Sequence, residues 1–563
     1  MKIKLLTIAG LLFLSGCGGS KDAARQKPVI DTDALLSYQS EITTDYLRTH
    51  LSVIAADSME GRDTGSQGLE KAATYLAQQY REMGLRPLGD NQTYYQHFDL
   101  KASVTDSIVF ELFAVEDGHK APVERSVASQ KSTANFIRGF GGTDTLSGEI
   151  VFAGFGLNDP SNEVSHLGDM DLKGKWVMVF EEIPYVIDGD TLVNPAISPQ
   201  SRLRSVVIQG GAEGLLLIPS ATAREFEQLA AQSKAGFGQP AGMRLPYLKG
   251  RSGGFAKGYN IINPALAAQI LGLEDGIKGL NNLRRSLTEE ITGFTPTSTG
   301  HVLVHTPYLN EVTIETKNVL ALLEGADAKL KDEVVILTSH YDHVGIGRPD
   351  STGDNIYNGA DDDGSGTVGL LNIAHALAGA RDNGVAPRRS ILFLHVSAEE
   401  KGLLGSRYYS DHPVLPIEKT VANINIDMIG RIDQEHEEKG IEDYAYIIGS
   451  EIISSQMDSM LTVANNRSGN IILDKKYNDL NDPNQFYRRS DHWNFGRLGV
   501  PFVFFFTGVH EDYHQPGDEV EKILFDKMAK IVRTIYATSV IVANNENPPE
   551  VDNQAFINIT KGI

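Results

Sequence analysis

Val334-Val335-Ile336-Leu337-Thr338-Ser339-His340-Tyr341-Asp342-His343 is the stretch from which the rest of the chain can be read. Its first five residues form a short apolar run, rich in β-branched side chains, that predicts a buried strand with His340 and Asp342 at its end. Comparable runs, Ile391 to Val396, Val421 to Ile426 and Phe502 to Phe506, precede Glu399-Glu400, Asp427 and Tyr513-His514. A further acidic cluster, Gly359-Ala360-Asp361-Asp362-Asp363-Gly364-Ser365-Gly366, opens a helical pattern instead. Strands near 318–323, 334–339, 391–396, 421–426 and 502–506 alternate with helical patterns near 365–380, 403–410, 451–465 and 524–543. That alternation predicts an α/β fold: a mainly parallel mixed sheet flanked by helices, with ligands bound beyond the carboxyl ends of the strands.

Outward from this segment, the pattern from Ile42 to about Glu82 is helical, with Ala72, Ala73, Leu76, Ala77 and Tyr80 on one face. It is interrupted by the Gly-rich acidic loop Asp57 to Ser66. From about 115 to 300 the texture changes to short β-like runs between Gly-rich turns, such as Gly148 to Gly156, Leu172 to Val179 and Gly210 to Ile218. These runs resemble the protease-associated domain, a small β-rich insert of several peptidase families. The expected division is a signal segment at 1–17, a flexible tether at 18–35, a first catalytic part at 36–115, the insert at 116–304, a metal-binding part at 305–545, and a tail at 546–563.

The bulk numbers exclude some partners and leave others. A chain of 563 residues is long enough for two or three units. Its formal net charge of −22, with no basic patch, argues against nucleic acid. Cys17 is the only cysteine, so the folded part has neither an internal disulfide nor a thiolate metal ligand, and a metal must be held by His, Asp and Glu. Lys2 and Lys4, the apolar run Leu5 to Leu14, and Leu14-Ser15-Gly16-Cys17 read as an export signal. Those last four residues resemble a bacterial lipoprotein box. The resemblance implies cleavage before Cys17, a lipid anchor on Cys17, and a working domain in the cell envelope outside the cytoplasm.

Two imidazoles and several carboxylates without a thiolate suit catalytic Zn²⁺. His340-Tyr341-Asp342, Gly359 to Gly366, Ala398-Glu399-Glu400-Lys401-Gly402-Leu403-Leu404-Gly405-Ser406, Asp427-Met428 and Tyr513-His514, taken in this order, resemble the di-zinc aminopeptidases of metallopeptidase family twenty-eight. The resemblance implies the zinc exopeptidase fold and two Zn²⁺ per chain. His340 and Asp427 would hold one zinc, Glu400 and His514 the other, and Asp362 would bridge them. It further implies that Asp342 accepts the second ring proton of His340 and that Glu399 is the general base toward a metal-bridging hydroxide. Tyr513 would donate to the oxyanion, and Arg489 would contact the substrate. The expected substrates are peptides with a free N-terminus. Asp491 and His492 read as structural supports. Strand alternation carried past His340 turns His343 away from it, which leaves His343 outside the expected ligand set. The rival readings are a glutamate-carboxypeptidase-like enzyme, which needs a cationic pocket, and a metal-free receptor on the same fold. A glutaminyl cyclase usually carries tryptophan where Tyr513 stands.

Overall fold

The computed structural model describes residues 28–187, 190–248 and 257–561. Cys17 and the expected export signal lie outside the described residues. Four parallel strands form the centre of the main sheet, in the order Phe502–Phe506, Thr420–Ile426, Val334–His340 and Ser390–Val396. Antiparallel strands flank them, Tyr444–Gly449 beside Phe502–Phe506 and the long strand Thr297–Leu323 beside Ser390–Val396. All four central strands are buried on both faces, which explains why they appear in sequence as unbroken apolar runs.

Alternation sorts their side chains between two layers. Val335, Leu337, Ile391 and Phe393 pack with the helices Gly366–Asp382 and Phe525–Asn544 and the N-terminal helices Thr44–Ile54 and Gln67–Glu82. Val334, Ile336, Leu392 and Leu394 face the other way, onto Tyr409 and Phe495. Because the central strands run parallel, their carboxyl ends share one edge. His340 is therefore level with the loops that follow Val396, Ile426 and Phe506.

Residues 116–296 form a second lobe built around the strands Leu146–Phe152, Lys175–Phe180, Gly214–Ile218 and Gly258–Ile262, which pair in parallel. The sequence reads this segment as β-rich, yet it also folds the helices Ala223–Ser233, Pro264–Ile270 and Ile277–Glu289. Neither expected border of the insert is a linker. Tyr95–Glu116 pairs with Thr297–Leu323 over almost its whole length, from Tyr95↔Val319 to Ala114↔His301, so a continuous antiparallel ribbon joins the two lobes.

Two expected loose segments are partly ordered. Val29 bridges to Val385, and Asp31 caps the helix Thr32–Ser37. In the C-terminal stretch, Phe556 is fully buried against Phe502 and Ile453.

Candidate active site

The strand Val334–His340 ends at His340, and the chain beyond it turns as a loop rather than continuing to alternate. Two donor sets form at this edge. In the first, His340 Nε2 lies 3.2 Å from Asp362 Oδ1 and 3.5 Å from Asp427 Oδ1. In the second, His514 Nε2 lies 3.1 Å from Asp362 Oδ2 and 3.2 Å from Glu400 Oε1. Asp362 thus turns one carboxylate oxygen toward each set, as a bridging ligand does. His343, which strand alternation excludes, stands in the second set with Nδ1 3.0 Å from Glu400 Oε1. The alternation argument carries no weight at this position, because a period of two has no meaning once the strand has ended.

The backbone around these groups is bent sharply to present them. Ala398, Met428 and His514 all have left-handed φ, at 58°, 55° and 54°. That conformation is costly for non-glycine residues, which hold it only where the surrounding structure enforces it, commonly at functional sites. Here the three are His514, which belongs to the second donor set, and the immediate neighbours of Glu399 and Asp427.

Supporting hydrogen bonds fix the ligands. Ser490 Oγ donates to Asp427 Oδ2 at 2.7 Å. Asp518 accepts from the backbone N–H groups of Asp361 and Asp362. Burial, and then the neighbouring Asp361, push the Asp518 carboxyl up to about 6. Asp363 accepts from the N–H groups of His340, Gly366 and Met428, joining three of the site's loops without belonging to either donor set. Arg62, fully buried beneath, donates to the carbonyls of Ile54, Tyr341, Asn358 and Gly359. Nothing in the sequence marks Ser490, Asp518 or Arg62 specifically, since each acts through partners distant along the chain.

Asp342 corrects one expectation. His340 Nδ1 lies 3.1 Å from the main-chain carbonyl of Asp342, whereas the Asp342 carboxylate is 3.8 Å away. A carbonyl fixes the tautomer as well as a carboxylate would, and the carboxylate is occupied elsewhere. It accepts from the Glu399 N–H at 3.1 Å and the Thr64 hydroxyl at 3.2 Å, so Asp342 positions the loop that carries Glu399. Burial pushes its carboxyl up to about 6.

Glu399 joins neither set, its Oε2 4.0 Å from His340 Nε2. Burial raises its proton affinity; His340 opposes this, and Glu400, Asp491 and Asp427 add to it. Glu399, Arg489 and Tyr513 line a cleft with His340, Asp362, Glu400 and Asp427. Its apolar wall is made by Met428, Phe486, Phe504, Phe506 and Val509. The Tyr513 ring stacks on that of His514 at 3.9 Å, and Arg489 lies 5.0 Å from the Phe486 ring centroid. His492, expected to be a structural support, stacks its ring on Phe504 at 4.6 Å, and burial lowers it to about 3. Asp491 is fully buried beside this centre, its carboxyl pushed up to about 7, chiefly by burial.

Residues 318–539 match peptidase family M28 over the segment that carries both donor sets. This segment is a peptidase family M28 domain. Among curated proteins, the chain is 28% identical over 232 residues to leucine aminopeptidase 2 of Arthroderma otae, covering 37% of this chain and 41% of that one. It is 27% identical over 242 residues to aminopeptidase YwaD of Bacillus subtilis, covering 42% and 46%. The chain therefore spans less than half the length of these two relatives. Among solved structures, the aminopeptidase from Aneurinibacillus sp. strain AM-1 aligns with a TM-score of 0.50 at 16% identity, over 93% of this chain and 98% of that one. This likeness concerns the fold alone.

The donor chemistry of the M28 domain fits divalent zinc. Imidazole and carboxylate groups converge without a thiolate, and the ligand atoms of each set lie within 4.8 Å of one another. His514 Nε2 is buried without a hydrogen-bond partner and faces two carboxylates. A cation satisfies all of these groups at once.

Proposed function

We propose that this protein is a zinc-dependent aminopeptidase that removes N-terminal residues from peptides outside the cytoplasm. The observation that carries the reading is Asp362, with one oxygen in each donor set, beside a carboxylate, Glu399, that belongs to neither. His340 and Asp427 would hold one zinc, Glu400 and His514 the other, with Asp362 shared. When bound, the pair of ions supplies Lewis acidity and an activated water.

The remaining work falls to side chains. Glu399 takes a proton from the attacking water and returns it to the leaving amine. The raised proton affinity of its buried site suits a group that must both accept and release a proton. Asp342 holds the Glu399 backbone in place, and Ser490 holds Asp427. Tyr513, at the rim of the cleft, is placed to donate to the carbonyl oxygen as negative charge develops there. The wall of Phe486, Phe504, Phe506, Met428 and Val509 favours an apolar side chain on the residue removed. Arg489 is the single Lys or Arg among the described residues that line this cleft, which disfavours a carboxypeptidase for acidic C-termini.

The relatives named aminopeptidases support the activity. The basic start, apolar run and Cys17 of the first seventeen residues support export and lipid anchoring. The test is a panel of aminoacyl chromogenic substrates, each also N-acetylated, with zinc measured in the same preparation. Hydrolysis of the free amines alone, by protein holding about two zinc ions, is expected. Equal cleavage of the blocked substrates would end the aminopeptidase reading.

A further inference from the structure

We infer that His343 is a direct ligand of the second zinc, through Nδ1, in addition to Glu400, His514 and the shared Asp362. The inference rests on the two-zinc reading above and adds a sixth protein ligand to its five.

Geometry is the warrant. Four ligand atoms surround one point: His343 Nδ1, His514 Nε2, Glu400 Oε1 and Asp362 Oδ2. Each nitrogen meets the same two oxygens. From His343 Nδ1 the distances are 3.0 Å to Glu400 Oε1 and 3.7 Å to Asp362 Oδ2. From His514 Nε2 they are 3.2 Å and 3.1 Å. In a tetrahedron with metal–ligand bonds of about 2.0–2.1 Å, ligand atoms stand ~3.3 Å apart along each edge. Four edges of this set scatter around that value, and the two imidazoles meet edge to face with centroids 5.4 Å apart. A lone hydrogen bond from His343 to Glu400 accounts for the first distance but not for the approach to Asp362.

The ring is also held where it stands. Its side chain is fully buried, and the backbone N–H of His343 donates to the Arg62 carbonyl at 3.2 Å. A Cβ at Gly359 would lie 2.5 Å from His343 Cδ2 and 2.3 Å from the Asp362 carbonyl oxygen. Gly359, at φ +56°, thus lets the ring and the Asp362 loop close on each other.

The consequence is a division of labour between the two positions. The second, with two imidazoles and two carboxylates, has four protein ligands. The first, with His340, Asp362 and Asp427, keeps the open position a catalytic zinc needs. Zinc should therefore bind in two classes, with the tighter at the second position.

X-ray absorption on the full-length two-zinc protein tests this without any substitution. Three rings shared by two ions give an average of about 1.5 imidazoles per zinc, against about 1.0 if His343 stays outside. Competition with a zinc chelator on the His343→Ala protein, its folding checked by circular dichroism, should show the tight class weakened about 100-fold or more, beyond what loss of a supporting hydrogen bond usually costs. The other class should be unchanged. Two bound zincs averaging about 1.0 imidazole each, with both affinities kept in His343→Ala, would overturn the inference and leave the two-zinc reading standing. A protein that binds no zinc at all would overturn both.

Discussion

Replacing Arg62 with methionine should destabilise the catalytic lobe by about 3–5 kcal/mol. The guanidinium is fully buried and donates four hydrogen bonds of 2.7–2.9 Å, to the carbonyls of Ile54, Tyr341, Asn358 and Gly359. No carboxylate is in direct ion-pair contact with it among the described residues. Burial lowers its proton affinity, while Asp362, Asp518, Asp342 and Asp363 favour the charge from further away. Hydrogen bonds from a charged donor contribute roughly 1.5–3 kcal/mol each, so four give a gross contribution on the order of 6–12 kcal/mol. Methionine recovers the cost of burying the charge and some packing, which leaves a net loss in the range usual for breaking a buried charged network, about 3–5 kcal/mol. Arg62→Lys keeps the charge but at most three of the four donations, and should fall between the two. Urea titration followed by tryptophan fluorescence reads the change for the native chain, since Trp493 lies in this lobe, with Trp176 in the other as an internal reference. Zinc affinity should fall in parallel, because three of the four clamped carbonyls, those of Tyr341, Asn358 and Gly359, belong to the two loops that carry His343 and Asp362. A midpoint shift worth less than about 1 kcal/mol for Arg62→Met, or a lysine variant indistinguishable from the native chain, would refute the clamp.

Glu399→Ala should lower turnover by at least about 10²–10⁴-fold while zinc content stays at two per chain; a loss of zinc would make Glu399 a ligand instead. Ser490→Ala frees Asp427 from its 2.7 Å hydrogen bond and should weaken zinc at the first position by about 10–100-fold, read by chelator competition; unchanged affinity would show that Asp427 needs no such support. His395, fully buried between Tyr80 and Ser339, is held neutral, lowered by burial from the ordinary histidine value of 6.5 to about 3. The unfolded chain therefore binds the extra proton first as pH falls. Stability from this group is complete above about 6.5 and is lost progressively toward pH 3, by several kcal/mol in all. A His395→Gln variant with an equally steep acid profile in urea titrations would assign the slope to other groups.

What the sequence makes legible follows from where side chains are buried. The four central strands are buried on both faces, so each is an unbroken apolar word in the sequence, placed to within a residue or two. Tyr444–Gly449 has the same character but no acidic or histidine cluster follows it, so nothing ties it to the site. The five expected ligands converge because His340 ends its strand, Asp427 and Glu400 sit one and four residues past theirs, and Asp362 lies at the mouth of a helix, the exception being His514, eight residues past Phe506. His343 and the true partner of Asp342 are hidden for one reason: beyond His340 the backbone leaves the strand, and a turn's direction is set by contacts from Arg62, Thr64 and Gly359, far away in sequence. Ser490 and Asp518 are illegible on the same ground.

The chain leaves the main sheet along Tyr95–Glu116 and returns along Thr297–Leu323 as two sides of one hydrogen-bonded ribbon. The second lobe is accordingly mounted on a stiff beam rather than on a pair of free joints. Rotation of one lobe against the other requires the beam to twist or its ladder to break. The same lobe also shares a hydrophobic cluster with the Glu399 loop, where its Leu245 groups with Phe98, Leu100, Leu404 and Ala398, the residue before Glu399. Load placed on the outer lobe is thus carried along the beam toward the turn that holds Glu399.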